Sequence, residues 1–159
     1  MALGQSNDLQ PGRLELIACD SDKNRCELID VYEATSGLPG RQAPSDRNVR
    51  AKGPIPDQGF TRDRQPLFIS TKLIDLRGVK GIEGNFYPIT PTTIRTPVRT
   101  RSQFGLHADK NVPGTAGCIG VTDDEDWAKL QLKLKEIGAS GVDKIPLVVS
   151  YQTVINPRI

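Results

Sequence analysis

Short runs of aliphatic and β-branched residues recur between turn signals along most of the chain, at positions 14–18, 27–34, 67–74, 86–89, 103–108, 118–121 and 145–152. Runs of this length, bounded by Gly, Pro, Asn and Asp, predict strands. One segment has a different period. Trp127, Leu130, Leu134 and Ile137 recur at helical spacing over residues 124–137, with Leu132 off that line, so one helix face is expected to pack on the sheet. Thr122 or Asp123 is placed to cap its start, and the acidic residues Asp123, Asp124, Glu125 and Asp126 suit the positive end of the helix dipole. Those carboxylates also have the composition of a catalytic pair, but helix-start electrostatics accounts for them fully. Gly138 is the expected stop. The pattern predicts a mostly β fold with one packed α-helix.

Composition agrees, since twelve prolines and fifteen glycines argue against a helical protein. Residues 35–65 form a long stretch rich in Pro, Gly and Arg, which reads as an irregular surface loop. A chain of 159 residues makes one domain with a core of its own, residues 1–159, in which 1–13 are a polar N-terminal extension. The net charge of +2 argues against nucleic acid as a partner, and no apolar run reaches the length of a membrane span. Residues 1–13 lack the basic start and apolar stretch of a signal peptide, so Sec export is not expected.

Three cysteines and one histidine carry the candidate chemistry. Cys19 and Cys26 bracket a polar turn and are placed to face each other across a hairpin, as a disulfide in an oxidising place or as ordinary strand residues when reduced. Asp20, Asp22 and Asn24 mimic the start of a calcium loop, but Arg25 stands where its glycine belongs and Val31 where its glutamate belongs, which leaves a solvated turn. No Cys pair has the spacing of a zinc site. His107, the sole histidine, lies eleven residues before Cys118. A thiol is a useful acyl-transfer nucleophile when a base removes its proton or lowers its pKa, and imidazole is the usual partner. Gly114, Gly117 and Gly120 flank the thiol, where backbone N–H groups can approach a substrate oxyanion. Pro113 and Gly114 signal a turn, so the chain is expected to run as a strand to Ala108, loop, and return through Cys118. Just upstream, Arg95, Arg99 and Arg101 share one face if that stretch is extended; they either hold a carboxylate beside the cleft or decorate a solvated edge strand.

The block Thr115, Ala116, Gly117, Cys118, preceded by His107, resembles the signature of the YkuD-type L,D-transpeptidases, as do Ser36 with Gly37 and the Gly53, Pro54, Ile55, Pro56, Gly59, Phe60 pattern. The short interval and the Gly-Cys-Ile-Gly sequence look closest to a compact branch that includes type VI secretion effectors and phage-encoded proteins. The resemblance covers about residues 14–121 and implies that part of 35–65 is the lid-like approach to the cleft. It departs at Ala116, where a histidine is usual, and at Gly120, where an arginine is usual. It implies a β-sandwich or barrel and a cysteine acyltransferase acting on peptidoglycan stem peptides, as an L,D-transpeptidase or L,D-carboxypeptidase. His107 would be the base and Cys118 the nucleophile, with Asp109 or a backbone carbonyl orienting the imidazole. Backbone N–H groups at Gly117 and Cys118 would form the oxyanion hole, and Arg99, Arg101, Thr115 and Gly120 would line the substrate. No metal or organic cofactor is implied, and delivery to the wall by a phage particle or secretion apparatus is expected. Two other classes stay open: a non-catalytic structural or wall-binding module of a phage particle, and a cysteine peptidase or amidase on another wall bond.

Overall fold

A computed structural model describes residues 9–110 and 113–151. The strands are β1 (Gly12–Asp20), β2 (Arg25–Gly37), β3 (Leu67–Ser70), β4 (Ile74–Asp75), β5 (Asn85–Thr90), β6 (Thr93–Arg95), β7 (Thr100–Ser102), β8 (Gly105–Ala108), β9 (Thr115–Val121) and β10 (Lys144–Leu147), with one α-helix, α1 (Asp124–Ala139), before β10. The main sheet has the order β1-β2-β9-β8-β5-β3-β10, with β4 added beside β5, and β6 pairs only with β7. The fold is therefore mostly β with one packed helix. The expected strand at 145–152 falls partly outside the described residues, and its described part is a strand only to Leu147.

Strand alternation builds the core. Tyr32 and Ala34 of β2, Tyr87 and Ile89 of β5, Leu106 and Ala108 of β8, and Ile119 and Val121 of β9 are all buried on one side. Trp127, Leu130 and Leu134 of α1 pack into the same cluster, with Trp127 edge-on to Tyr87 at 5.8 Å. Leu132, off the helical stripe, is exposed. Asp123 caps the helix by accepting the Asp126 N–H at 2.9 Å. Gly138 is not the stop. The helix continues to Ala139 and ends through Ser140 and Gly141, the latter at φ +94°. A Cβ on Gly138 would lie 3.2 Å from the Thr71 hydroxyl, so that glycine serves a close approach inside the helix.

The hairpin of β1 and β2 is joined by the Cys19–Cys26 disulfide, whose cysteines are register partners. Its turn is closed by Asp20, whose carboxylate accepts the N–H groups of Asp22 and Lys23, in keeping with a solvated turn. The arginine-rich stretch is not one extended strand. Residues 93–95 and 100–102 form a small hairpin, with Thr96 and Arg99 bonded to each other across its turn.

Candidate active site

β8 and β9 lie side by side and run parallel, with His107 opposite Gly120. The expected reversal after Ala108 is corrected here. Thr115 first pairs with Gly37 of β2, and the chain then passes through a bulge and comes alongside β8 in the same direction. Because Leu106, Ala108, Ile119 and Val121 point into the core, alternation assigns Gly105, His107, Cys118 and Gly120 to the opposite face. Cys118 thus stands two positions before the residue opposite His107, on the histidine's side of the sheet.

The bulge sets the thiol's surroundings. Thr35 faces Gly120 and Gly37 faces Thr115, so Ser36 alone stands across from residues 116–119. Gly117, at φ +107°, supplies a backbone conformation that L side chains resist. Gly117 and Cys118 consequently have no register partner in β2.

His107 is 3% exposed, with its ring stacked on Phe86 at 6.2 Å. Its Nδ1 is 2.7 Å from the Ala108 carbonyl oxygen. A carbonyl only accepts, so Nδ1 carries the proton and Nε2 keeps its lone pair. Burial pushes the imidazole below its ordinary value of 6.5, against weaker opposing effects of that carbonyl and of Asp109. The ring is therefore neutral at pH 7 in the tautomer a general base requires. Of the two candidates for orienting it, the backbone carbonyl makes the contact.

Cys118 is half-buried and is the free cysteine among the described residues. Its Sγ is 3.5 Å from the Gln103 carbonyl oxygen, and no hydrogen bond joins it to His107 among the described residues. Burial pushes the thiol up to about 11, opposed by the Gly105 backbone and by Arg101. A thiol paired with a base is expected to titrate low; here desolvation outweighs every opposing contact, and the resting site holds a neutral thiol.

Arg101 is corrected as a substrate contact, because it is 4% exposed. Its Nη1 donates to the carbonyls of Arg47 and Pro54 at 2.7 and 2.6 Å, and its Nη2 to that of Gly53 at 2.9 Å. Arg99 sits on the turn of the small hairpin and is exposed. The two arginines do not form one carboxylate clamp, because Arg101 is buried on loop carbonyls while Arg99 is exposed.

Asp109 holds the connection between β8 and β9. Its carboxylate accepts the Thr35 hydroxyl at 3.1 Å and, through both oxygens, the Gly114 N–H at 3.1 Å. Thr115 is buried and donates its hydroxyl to the Cys118 carbonyl, so it fixes the bulge from within instead of lining a substrate groove. Gly120 is corrected too. A Cβ there would lie 2.9 Å from both Asp109 Cβ and Thr115 Cγ2, which leaves no room for the arginine the resemblance leads one to expect.

The two early segments that carry the resemblance meet each other, since the Ile55 N–H donates to Ser36 Oγ at 2.8 Å. Pro54, Ile55 and Pro56 are fully buried, and the Arg47–Asp57 ion pair at 2.5 Å ties this approach segment to its own beginning. Sequence reasoning missed Phe86, which occupies the space above Gly105 that any side chain there would need. It also missed Gln103, at φ +65°, whose carbonyl faces the thiol. No pattern signals a contact made through a backbone oxygen. An open cavity of about 570 Å³, lined by Asp109, Lys110, Thr122, Asp123, Asp124 and Glu125, lies at the helix start and does not include His107 or Cys118. Among the described residues no group of three or more His, Cys, Asp or Glu side chains is placed to hold a metal. No family model, curated protein or solved structure matches the chain.

Proposed function

We propose that the chain is a cysteine acyltransferase of the YkuD type, acting on peptidoglycan stem peptides as an L,D-transpeptidase or L,D-carboxypeptidase. The observation that carries this reading is a neutral, tautomer-fixed His107 on the same face as Cys118 of the adjacent strand. His107 Nε2 takes the thiol proton as the sulfur attacks the carbonyl carbon between the third stem residue and D-alanine. The neutral resting pair makes this a general-base step, with charge separating only as the new S–C bond forms. In this reading the N–H groups of Gly117 and Cys118 serve the oxyanion, each such donor contributing a factor of about 100 to 1,000 in related chemistry. Protonated His107 then gives its proton to the departing amine, and D-alanine leaves an acyl-enzyme. A second stem's amine resolves it to a cross-link, and water resolves it to a tripeptide.

Incubation with tetrapeptide muropeptides, followed by mass spectrometry, tests this. Wild type yields tripeptides or cross-linked dimers with free D-alanine, and Cys118→Ser yields neither. Cleavage at a different wall bond would assign the dyad to a peptidase or amidase. One observation favours a non-catalytic wall-binding module: no hydrogen bond joins the thiol to the imidazole among the described residues, and burial pushes the thiol up to about 11. Binding to sacculi with every stem peptide left intact would establish that reading instead.

A further inference from the structure

Arg101 is a buried cation. Among the described residues no carboxylate forms an ion pair with it, and its bonded partners are the neutral carbonyls of Arg47, Gly53 and Pro54. Removing a guanidinium from water without a counter-charge is costly, and carbonyl dipoles offset that cost only in part. Phe104 also lies against it, at 5.2 Å from the guanidinium carbon to the ring centroid. Its location is specific. A Cβ built on Gly117 would fall 2.6 Å from Arg101 Nη2, so the guanidinium is pressed against the bulge backbone one residue before the thiol.

We propose that Arg101 is the positioning residue of this site: held by the carbonyls of Arg47, Gly53 and Pro54 against the backbone at Gly117, it supplies the counter-charge for the negative charge that develops at Cys118 when the thiol proton moves to His107. Arg101 itself neither gives up a proton nor changes a bond. The sulfur keeps the electron pair of the broken S–H bond, and His107 carries the proton. The mutual electrostatic effect of the two groups agrees, with Arg101 favouring the ionised thiol and the ionised thiol favouring the charged arginine. Other ionisable groups acting on Arg101 are Arg99 and Tyr151, and Tyr151 in turn feels Asp57 and Arg47. With no carboxylate paired to it among the described residues, the charge is available for an anion that forms during reaction.

The inference deepens the proposed function, since it rests on Cys118 as the nucleophile, yet its test requires no wall substrate. The rate of Cys118 alkylation by iodoacetamide is followed against pH in full-length wild type, Arg101→Gln and Arg101→Lys, without reductant, reading the Cys118 peptide by mass. Loss of the charge in Arg101→Gln should move the profile up by about one pH unit, which is about tenfold slower labelling at any pH below the midpoint. Arg101→Lys, which keeps the charge, should stay within about threefold of wild type. A wild-type profile in Arg101→Gln, whatever its thermal stability, would reduce Arg101 to a packing role. Should the glutamine variant not fold, Arg101→Lys decides: a profile near wild type supports the counter-charge, and a tenfold loss overturns it. Wild type that leaves muropeptides untouched while its thiol still depends on Arg101 would remove the peptidoglycan reading alone. Turnover of muropeptides with an Arg101-independent thiol would remove this inference alone.

Discussion

The outer half of the β1–β2 hairpin and the β8–β9 face are both made of strand, and they are stabilised in opposite ways. In the hairpin, Ile17, Leu28 and Ile29 are about half exposed, and among the described residues the rungs from Ile17–Leu28 to Asp20–Arg25 pair with no third strand and are closed by a disulfide. On the β8–β9 face, Gly105 and Gly120 hold positions where a side chain would strike Phe86, Asp109 or Thr115. Apolar residues therefore mark the looser region and glycines the tighter one. The glycines that suggest a flexible loop are instead points where side chains from neighbouring strands have taken the available space.

Substitution should separate the two regions sharply. A Cβ at Gly105 would lie 2.0 Å from Phe86 Cζ, so Gly105→Ala must displace the ring that stacks on His107. We expect a loss of about 2–3 kcal/mol in denaturant unfolding, together with loss of activity. Ile17→Thr in the hairpin should change stability by no more than about 0.5 kcal/mol. Equal effects at the two positions would abolish the contrast. Replacing Cys19 and Cys26 by alanine together should cost about 2 kcal/mol through the unfolded chain, with Cys118 alkylation unchanged. A change in Cys118 labelling would show that the hairpin is coupled to the site.

A smaller effect sharpens the electrostatic side. Burial holds His107 below 6.5, and the acidic limb of kcat/KM follows protonation of its neutral form. Activity should therefore persist below pH 6.5 before falling. Phe86→Leu, which uncovers part of the ring, weakens the desolvation that disfavours the imidazolium. The pKa then rises, and the acidic limb should move up toward 6.5 by a few tenths of a unit. An unmoved limb would mean that Phe86 does not control the hydration of the imidazole.

The helix was legible because its apolar period and its capping Asp123 act locally, within the segment itself. Its end was misplaced because Gly138 answers to Thr71, far away in the chain. Most strands were visible from their apolar runs, whereas the β6–β7 hairpin was hidden by its arginines, threonines and Pro97. For the candidate site, the residue types and spacing brought His107 and Cys118 into consideration, but not the parallel course of β9 that sets them on adjacent strands. Alternation along an extended stretch gave Arg99 and Arg101 one direction. The turn leaves Arg99 exposed, and the carbonyls of a distant loop hold Arg101 buried.

The central claim is that Cys118 carries the acyl group after His107 removes its proton. Acid quenching of protein mixed with a tetrapeptide muropeptide, then mass analysis of the peptide containing Cys118, tests it directly. The account predicts a thioester adduct on Cys118 in wild type with the mass of the stem lacking D-alanine, absent in Cys118→Ser and strongly reduced in His107→Ala. Release of D-alanine with no adduct on Cys118, or undiminished release by Cys118→Ser, would contradict it.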